Sequence, residues 1–429
     1  MNKVLDKKPP ARYEGCDFLK WMLAMKTTRS TFLKSVAGMA FAGTVLGRPA
    51  EMLLNAQEKA HVSPRSTKIR DIDIVPYSLE QKVVFHVALP AIPTSDGLLV
   101  RLRTEDGVFG WGEASPYSPV TSETVQSDIS MASTLAAMVR NRDAFGIAKI
   151  VADMDALSPF NTSIKAAFEI ALWDICGKIA AQPVCALLGK YRESFETDKT
   201  VFIDTPQAMA DTAREYVRQG FRVVKIKVGE SPEQDVERLR AIREAVGNEI
   251  AIRIDANQGW SPADAVHSLR AMEKYQIQFC EQPTPYWDWQ GLKYVRDDSP
   301  IPVMADESVH SPHDALEAAR LEACDMINIK LMKSGGILNA TRIAHVADAA
   351  GMSCMLGCMA ETSLGLTAAA HVVASQKNIV YADLDSFLFN VNNPIAGGMK
   401  IERGTVSLPS EPGLGLDVDT SFVKKLRAV

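Results

Sequence analysis

No apolar run in this 429-residue chain reaches the length of a membrane-spanning helix. Basic residues do not outnumber acidic ones: 47 Lys and Arg face 52 Asp and Glu, a net charge of −5, so no cationic field is available for nucleic acid or an anionic membrane. The seven cysteines (Cys16, Cys176, Cys185, Cys280, Cys324, Cys354 and Cys358) form no CxxC pair and no zinc spacing. Most lie in apolar runs, where a thiol behaves as a small hydrophobe, so no disulfide framework is expected. Low-complexity segments are also missing. What remains, 47% hydrophobic and 23% charged residues, is ordinary globular composition with room for two domains after a leader.

The N-terminal stretch reads differently from the rest. Lys26, Arg29 and Lys34 precede a charge-free segment from Ser35 to Gly47, the order of a basic region and a short apolar core in an export signal. Arg29-Ser-Thr-Phe-Leu-Lys34 resembles a twin-arginine signal in which Ser30 replaces the second arginine, and Met25 is an alternative start. Residues 1–66 are therefore expected to be a leader and the protein periplasmic; without export it is cytoplasmic.

The recurrence of charged residues at a near-constant interval carries the most information. Asp255, Glu281, Asp306 and Lys330 are separated by 26, 25 and 24 residues. Each closes a short apolar run rich in β-branched residues, and a helix-like segment follows. One strand, one loop and one helix per repeat is the unit of a (β/α)8 barrel, whose active site is built from the C-terminal ends of its strands. The first strand falls near Lys199 to Ile203 and the second over Phe221 to Val228. The third to sixth end at the four residues just named, the seventh is Ser353 to Cys358, and the eighth is Ile379 to Asp385. Near-continuous apolar runs suit parallel strands buried on both faces. Ahead of them, Leu98–Arg103 and Val108–Glu113 flank Glu105-Asp-Gly107 as a hairpin, and residues from about 120 to 188 read as helices. An α/β architecture is expected: an α+β capping domain over 67–190, joined by a returning tail over 400–429, and a barrel over 191–399.

Asp255, Glu281 and Asp306 would place three hard oxygen ligands on adjacent rigid strands, a set suited to Mg2+. One acid at a strand end is explained by a helix cap or a lysine partner. Three in succession at equal spacing are not. Period two puts Lys225 and Lys227 on one face of the second strand. Two neighbouring ammonium groups disfavour each other's protonation, so one of the pair is expected to have a depressed pKa and to serve as a base. Strands two and six are four apart in an eight-stranded barrel, so Lys227 and Lys330 would face each other across the mouth. Such a pair suits proton transfer α to a carboxylate, a cation stabilising the enediolate. Lys333 has the opposite parity to Lys330 and is assigned to the following loop. Asn257 shares a face with Asp255 and is a candidate substrate contact. Asp383 and Asp385 face one way on the eighth strand, away from the metal ligands, where they could hold a substrate ammonium.

Together these motifs resemble the muconate lactonizing enzyme subgroup of the enolase superfamily, over residues from about 67 to the C-terminus. The resemblance implies an enolase-like fold, one Mg2+ held by Asp255, Glu281 and Asp306, and catalysis by Lys225-Ile-Lys227 (Lys227 the base) and Lys330. Within the group, Asp383-Leu-Asp385 is similar to the pair with which dipeptide epimerases hold the α-ammonium of a dipeptide. Thr200 and Cys358, with Lys225, Asn257 and Lys330, match positions that contact substrate, although members commonly have Ser-Met where this chain has Cys358-Met359. Ala-Glu-specific members carry an arginine between the first two capping strands. Here His86 to Pro93 has none, which implies a neutral or hydrophobic dipeptide chosen by loops near Phe85–Asp96 and Ser115–Thr124. His310 and His371 lie away from strand seven, against mandelate-racemase chemistry. Cycloisomerase, o-succinylbenzoate synthase and N-acylamino-acid racemase activities on the same scaffold remain alternatives, as does a non-catalytic solute-binding barrel. Barrels of this kind often associate, so a homo-oligomer is a further expectation.

Overall fold

A computed structural model describes residues 66–427. The expected export signal and Cys16 lie outside them.

Three antiparallel strands open the described chain: β1 (Ile69–Phe85), β2 (Ile92–Thr104) and β3 (Phe109–Ala114), in the order β1-β2-β3. The β2–β3 register runs from Leu98↔Ala114 to Arg103↔Phe109 around a turn in which Gly107 adopts φ +84°. Alternation is visible in burial, since Val75, Tyr77 and Leu79 point inward while the residues between them are exposed. The helix Thr162–Ala180 packs on this sheet and is buried almost all round, including Glu169 and Asp174. Its buried acids are satisfied by neighbouring segments. Glu169 accepts the Ile337 and Leu338 amides, both at 2.8 Å, and so caps the helix Ile337–Ala349. Asp174 accepts from the Trp111 and Leu414 amides and pairs with Lys178 at 2.7 Å. The tail after Gly413 thus returns to the capping sheet, where Asp417 also accepts from the Trp111 indole at 2.9 Å.

The close approach of helix and sheet depends on Gly110 and Gly112. A Cβ on Gly112 would lie 1.8 Å from the Ala167 carbonyl oxygen, and one on Gly110 would lie 2.2 Å from that of Ala171. Gly112→Ala must therefore push the helix off the sheet. The expected cost is about 1–3 kcal/mol, read as a lower urea midpoint with an unchanged slope.

After the short strand β4 (Ser194–Glu196), which pairs with Thr405–Ser407, eight strands form one parallel sheet in sequence order: β5 (Lys199–Val201), β6 (Val223–Lys227), β7 (Ala251–Asp255), β8 (Ile277–Glu281), β9 (Val303–Ala305), β10 (Met326–Ile329), β11 (Ser353–Leu356) and β12 (Ile379–Ala382). Asp255 and Glu281 end their strands as expected, whereas Asp306 and Lys330 stand one residue beyond theirs. The first and last strands share no ladder. Their seam is closed by Asp198 N–H to Ala382 O at 3.3 Å, Leu384 N–H to Thr197 Oγ1 at 2.9 Å, and Thr200 N–H to Asp385 Oδ2 at 2.6 Å. Helices after four strands start with Ser or Thr followed by Pro: Thr205-Pro206, Ser231-Pro232, Ser261-Pro262 and Ser311-Pro312. Proline costs nothing at the first helical position, where its missing N–H would have no partner.

Inside the barrel, Phe279, Met304, Met326 and Met355 form a buried layer with Tyr381 against it. Arg253 lies among them, stacked on Tyr381 and Phe279 and paired with Asp198 at 2.7 Å. Moving two residues along each strand from this layer gives Asp255, Glu281, Asp306, Asn328 and Asp383. The period of two therefore lifts the charged residues to one level above an apolar floor. Among the described residues, no helix is long and apolar enough to cross a membrane.

Candidate active site

A cavity at the C-terminal ends of the strands is lined by Thr200, Lys225, Lys227, Asn257, Lys330, Cys358, Asp383 and Asp385, so every expected substrate or base position shares it. Asp255, Glu281 and Asp306 are fully buried immediately beneath. Lys227 Nζ lies 2.7 Å from Asp255 Oδ2 and donates to Asn257 Oδ1 at 3.0 Å. Lys330 Nζ lies 2.7 Å from Asp306 Oδ2. The two candidate bases thus enter one cavity from strands four apart, each tied to a different carboxylate.

Two expectations need correction. First, Lys225 is not an amine depressed by a like charge beside it. Its Nζ meets Asp383 at 2.7 Å, Glu281 at 2.8 Å and Asp255 at 3.1 Å. Burial alone would lower this amine, but the surrounding carboxylates outweigh it and hold it well above the usual lysine range. Second, Asp383 is not remote from the acidic trio. Closing the barrel brings the eighth strand beside the first, within reach of Lys225 on the second, and that amine bridges Asp383 to Asp255 and Glu281.

Lys333 does leave the strand, as its parity implies, but it is not a free loop residue. It sits in a helical turn, Leu331–Ser334, is 0% exposed, and pairs with Asp306 Oδ1 at 2.6 Å. It also donates to the backbone carbonyls of Asn328 and Asp306. Neither this clamp nor Glu307, a buried cavity-lining carboxyl, was found from the spacing pattern. The signal for Glu307 was its place directly after Asp306.

The electrostatics leave room for a divalent cation. Six carboxyls (Asp255, Glu281, Asp306, Glu307, Asp383 and Asp385) meet four amines (Lys225, Lys227, Lys330 and Lys333), a formal surplus of two negative charges. Where amines are close, burial is outweighed: Lys227 and Lys225 hold Asp255 at about 2, and Lys330 and Lys333 hold Asp306 below the carboxylate range. Lys225 cannot neutralise three partners at once, so burial and the Asp255 charge push Glu281 up to about 8. Burial and Asp383 push Asp385 to about 7. Glu281 Oε2 and both Asp306 oxygens are sealed from solvent and meet their amines without hydrogen-bond geometry. Orphaned carboxylate oxygens of Glu281 and Asp306 on two neighbouring strands, beside Asp255 on the next, are the donor set a hard cation takes.

The opposite wall is apolar. Phe85, Val87, Ile92, Tyr117 and Val120 of the capping segment face Phe202, Met359 and Phe389. Phe85 and Phe202 stack at 4.4 Å, and Phe389 sits edge-on to both. Among the described residues no arginine lines the cavity, and His86 turns to Glu230 at 3.3 Å.

Two family models match the chain: an enolase C-terminal domain-like model over residues 208–422, and the mandelate racemase / muconate lactonizing enzyme N-terminal domain over residues 70–189. The hydrophobic dipeptide epimerase of Enterococcus faecalis is 42% identical over 81% of this chain and 99% of its own. The L-Ala-D/L-Glu epimerase of Bacillus subtilis is 40% identical over 77% and 92%. A crystal structure of dipeptide epimerase from Enterococcus faecalis, complexed with Mg and L-Leu-L-Tyr, superposes with a TM-score of 0.80 at 42% identity, covering 82% of this chain and 99% of that one. That of Cytophaga hutchinsonii, complexed with Mg and D-Ala-L-Val, gives 0.82 at 37%, covering 83% and 98%. On these matches the chain belongs to the mandelate racemase / muconate lactonizing enzyme family of the enolase superfamily, among relatives that are isomerases of amino-acid derivatives.

Proposed function

We propose that this protein is a Mg2+-dependent dipeptide epimerase that inverts the α-carbon of the C-terminal residue. The observation carrying this reading is that Lys227 and Lys330 open into one cavity from strands four apart, with Asp383 and Asp385 at its edge. Asp255, Glu281 and Asp306 would hold the cation, which supplies positive charge at the substrate carboxylate, where the enediolate develops. One lysine takes the α-proton from one face, and the other returns a proton to the opposite face. Asp383 and Asp385 accept hydrogen bonds from the substrate α-ammonium beside Thr200 and Cys358, while Asn257 orients the reacting end. The capping segment excludes water from the cavity.

The reading is tested by incubating the protein with Mg2+ and neutral L,L-dipeptides in D2O, then comparing Asp383→Ala with wild type. The expected result is α-proton exchange with inversion, lost in the variant. Activity on N-acyl amino acids that survives Asp383→Ala would favour the racemase alternative instead. Tight ligand binding with no exchange would favour the solute-binding one.

The aromatic wall and the missing arginine support apolar or neutral side chains over acidic ones. Phe202→Ala removes one ring of the stacked trio and is expected to lower kcat/KM for a leucyl dipeptide roughly tenfold, corresponding to about 1.5 kcal/mol of lost burial. Ala-Ala, too small to reach the wall, should change little. Steady-state kinetics on both substrates checks this. We also read the stretch from Lys26 to Gly47 as an export signal, testable by fractionating cells that make the chain with and without it.

A further inference from the structure

Asn257 occupies an unusual backbone position. It and Gln258 both have positive φ, +39° and +70°, in the left-handed region that asparagine tolerates better than most residues. Its own N–H donates to Asp255 Oδ1 at 2.9 Å, which fixes the turn directly after the strand. Its side chain then joins two groups of opposite character. Oδ1 accepts from Lys227 Nζ at 3.0 Å, and Nδ2 donates to Glu307 Oε1 at 3.2 Å. Lysine offers only donors and a carboxylate only acceptors. Rotating the amide by half a turn would set NH2 against the ammonium and the carbonyl against the carboxylate. Glu307, 1% exposed, therefore in its ionised form favours the orientation that presents an acceptor to Lys227.

We propose that Glu307 is a positioning residue for Lys227, acting through Asn257, and that it sets the rate at which protons leave and return on the face of the α-carbon that Lys227 serves, more than on the face that Lys330 serves. This rests on the dipeptide-epimerase reading. Lys330 takes no part in this hydrogen-bonded relay: its ion partner is Asp306, and the Glu307 charge reaches it only through space. A glutamine at position 307 can donate as well as accept, so it would permit the flipped amide and leave Lys227 without its acceptor.

The experiment measures α-proton exchange in D2O from each epimer of a neutral dipeptide, for wild type, Glu307→Gln, Asn257→Ala and the double variant. Lys227→Ala identifies which epimer presents its proton to Lys227. The expected result is that Glu307→Gln slows exchange of that epimer about 10–100-fold, the range for partners that orient a working ligand or base, and the other epimer by less than twofold. Asn257→Ala, which also removes a substrate contact, should slow that epimer more than the other, and the double variant should be no slower than the worse single variant. Glu307→Asp, which keeps the charge and the acceptor, should recover part of the rate. Equal loss for both epimers, no loss at all, or losses that multiply in the double variant would overturn the proposal. Failure of the wild type to exchange either epimer would instead overturn the dipeptide reading, and this proposal with it.

Discussion

Lys330→Ala lowers kcat for epimerisation by about 10²–10⁴-fold, the range for removal of a positioned acid or base. The α-proton of a dipeptide carboxylate is weakly acidic, and inversion needs a proton removed from one face and another delivered to the opposite face. Lys330 is 5% exposed, and an alanine in its place has no proton to give or accept. Burial would lower this amine, but Asp306 and Glu281 outweigh it and hold it above the usual lysine range. The substitution also leaves Asp306 with Lys333 as its one amine partner among the described residues. A melting curve of the variant therefore accompanies the kinetics, and a folded variant with unchanged KM isolates the loss of proton transfer.

Chelation is expected to have an effect of the same order. Dialysis against EDTA should abolish turnover, and Glu281→Ala should lower it by at least about 10²–10³-fold even in excess Mg2+, as when a charge-stabilising contact at a developing anion is lost. A readout independent of turnover is available. A ligand that binds only the folded state stabilises it by about 2.7 kcal/mol at a hundred times its Kd. Mg2+ should thus raise the melting temperature of the wild type and leave that of Glu281→Ala nearly unchanged. Full activity after exhaustive chelation would contradict the role assigned to Asp255, Glu281 and Asp306.

The barrel and its charged residues were legible because one rule governs both. Inward positions repeat every second residue, so a carboxylate or amine closing an apolar run lies at the mouth above an apolar floor. The repeat of about 25 residues then placed Asp255, Glu281, Asp306 and Lys330 on successive strands. Spacing did not give the neighbours of each group. Lys225 and Lys227 share a face, but whether they repel or serve carboxylates depends on Asp383, which arrives only when the seam between β12 and β5 closes. Lys333 has the parity of a loop residue, and its helical turn folds it back beneath Asp306. The Phe85, Phe202 and Phe389 wall joins the capping segment, the first barrel strand and the segment after the last, a contact that no periodicity links. Asn257 was found through its parity with Asp255, whereas its left-handed backbone and its bond to Glu307 belong to the folded loop.

The central claim is that two amines serve opposite faces of one α-carbon. The most direct test is to offer each epimer of a neutral dipeptide, with Mg2+ in D2O, to Lys227→Ala and Lys330→Ala in turn and follow the α-proton signal by NMR. The prediction is a complementary pattern: each variant exchanges only the epimer whose proton faces the lysine it retains, and neither inverts. If both variants exchanged the same epimer, or either still inverted at the wild-type rate, the opposed-lysine account would be contradicted.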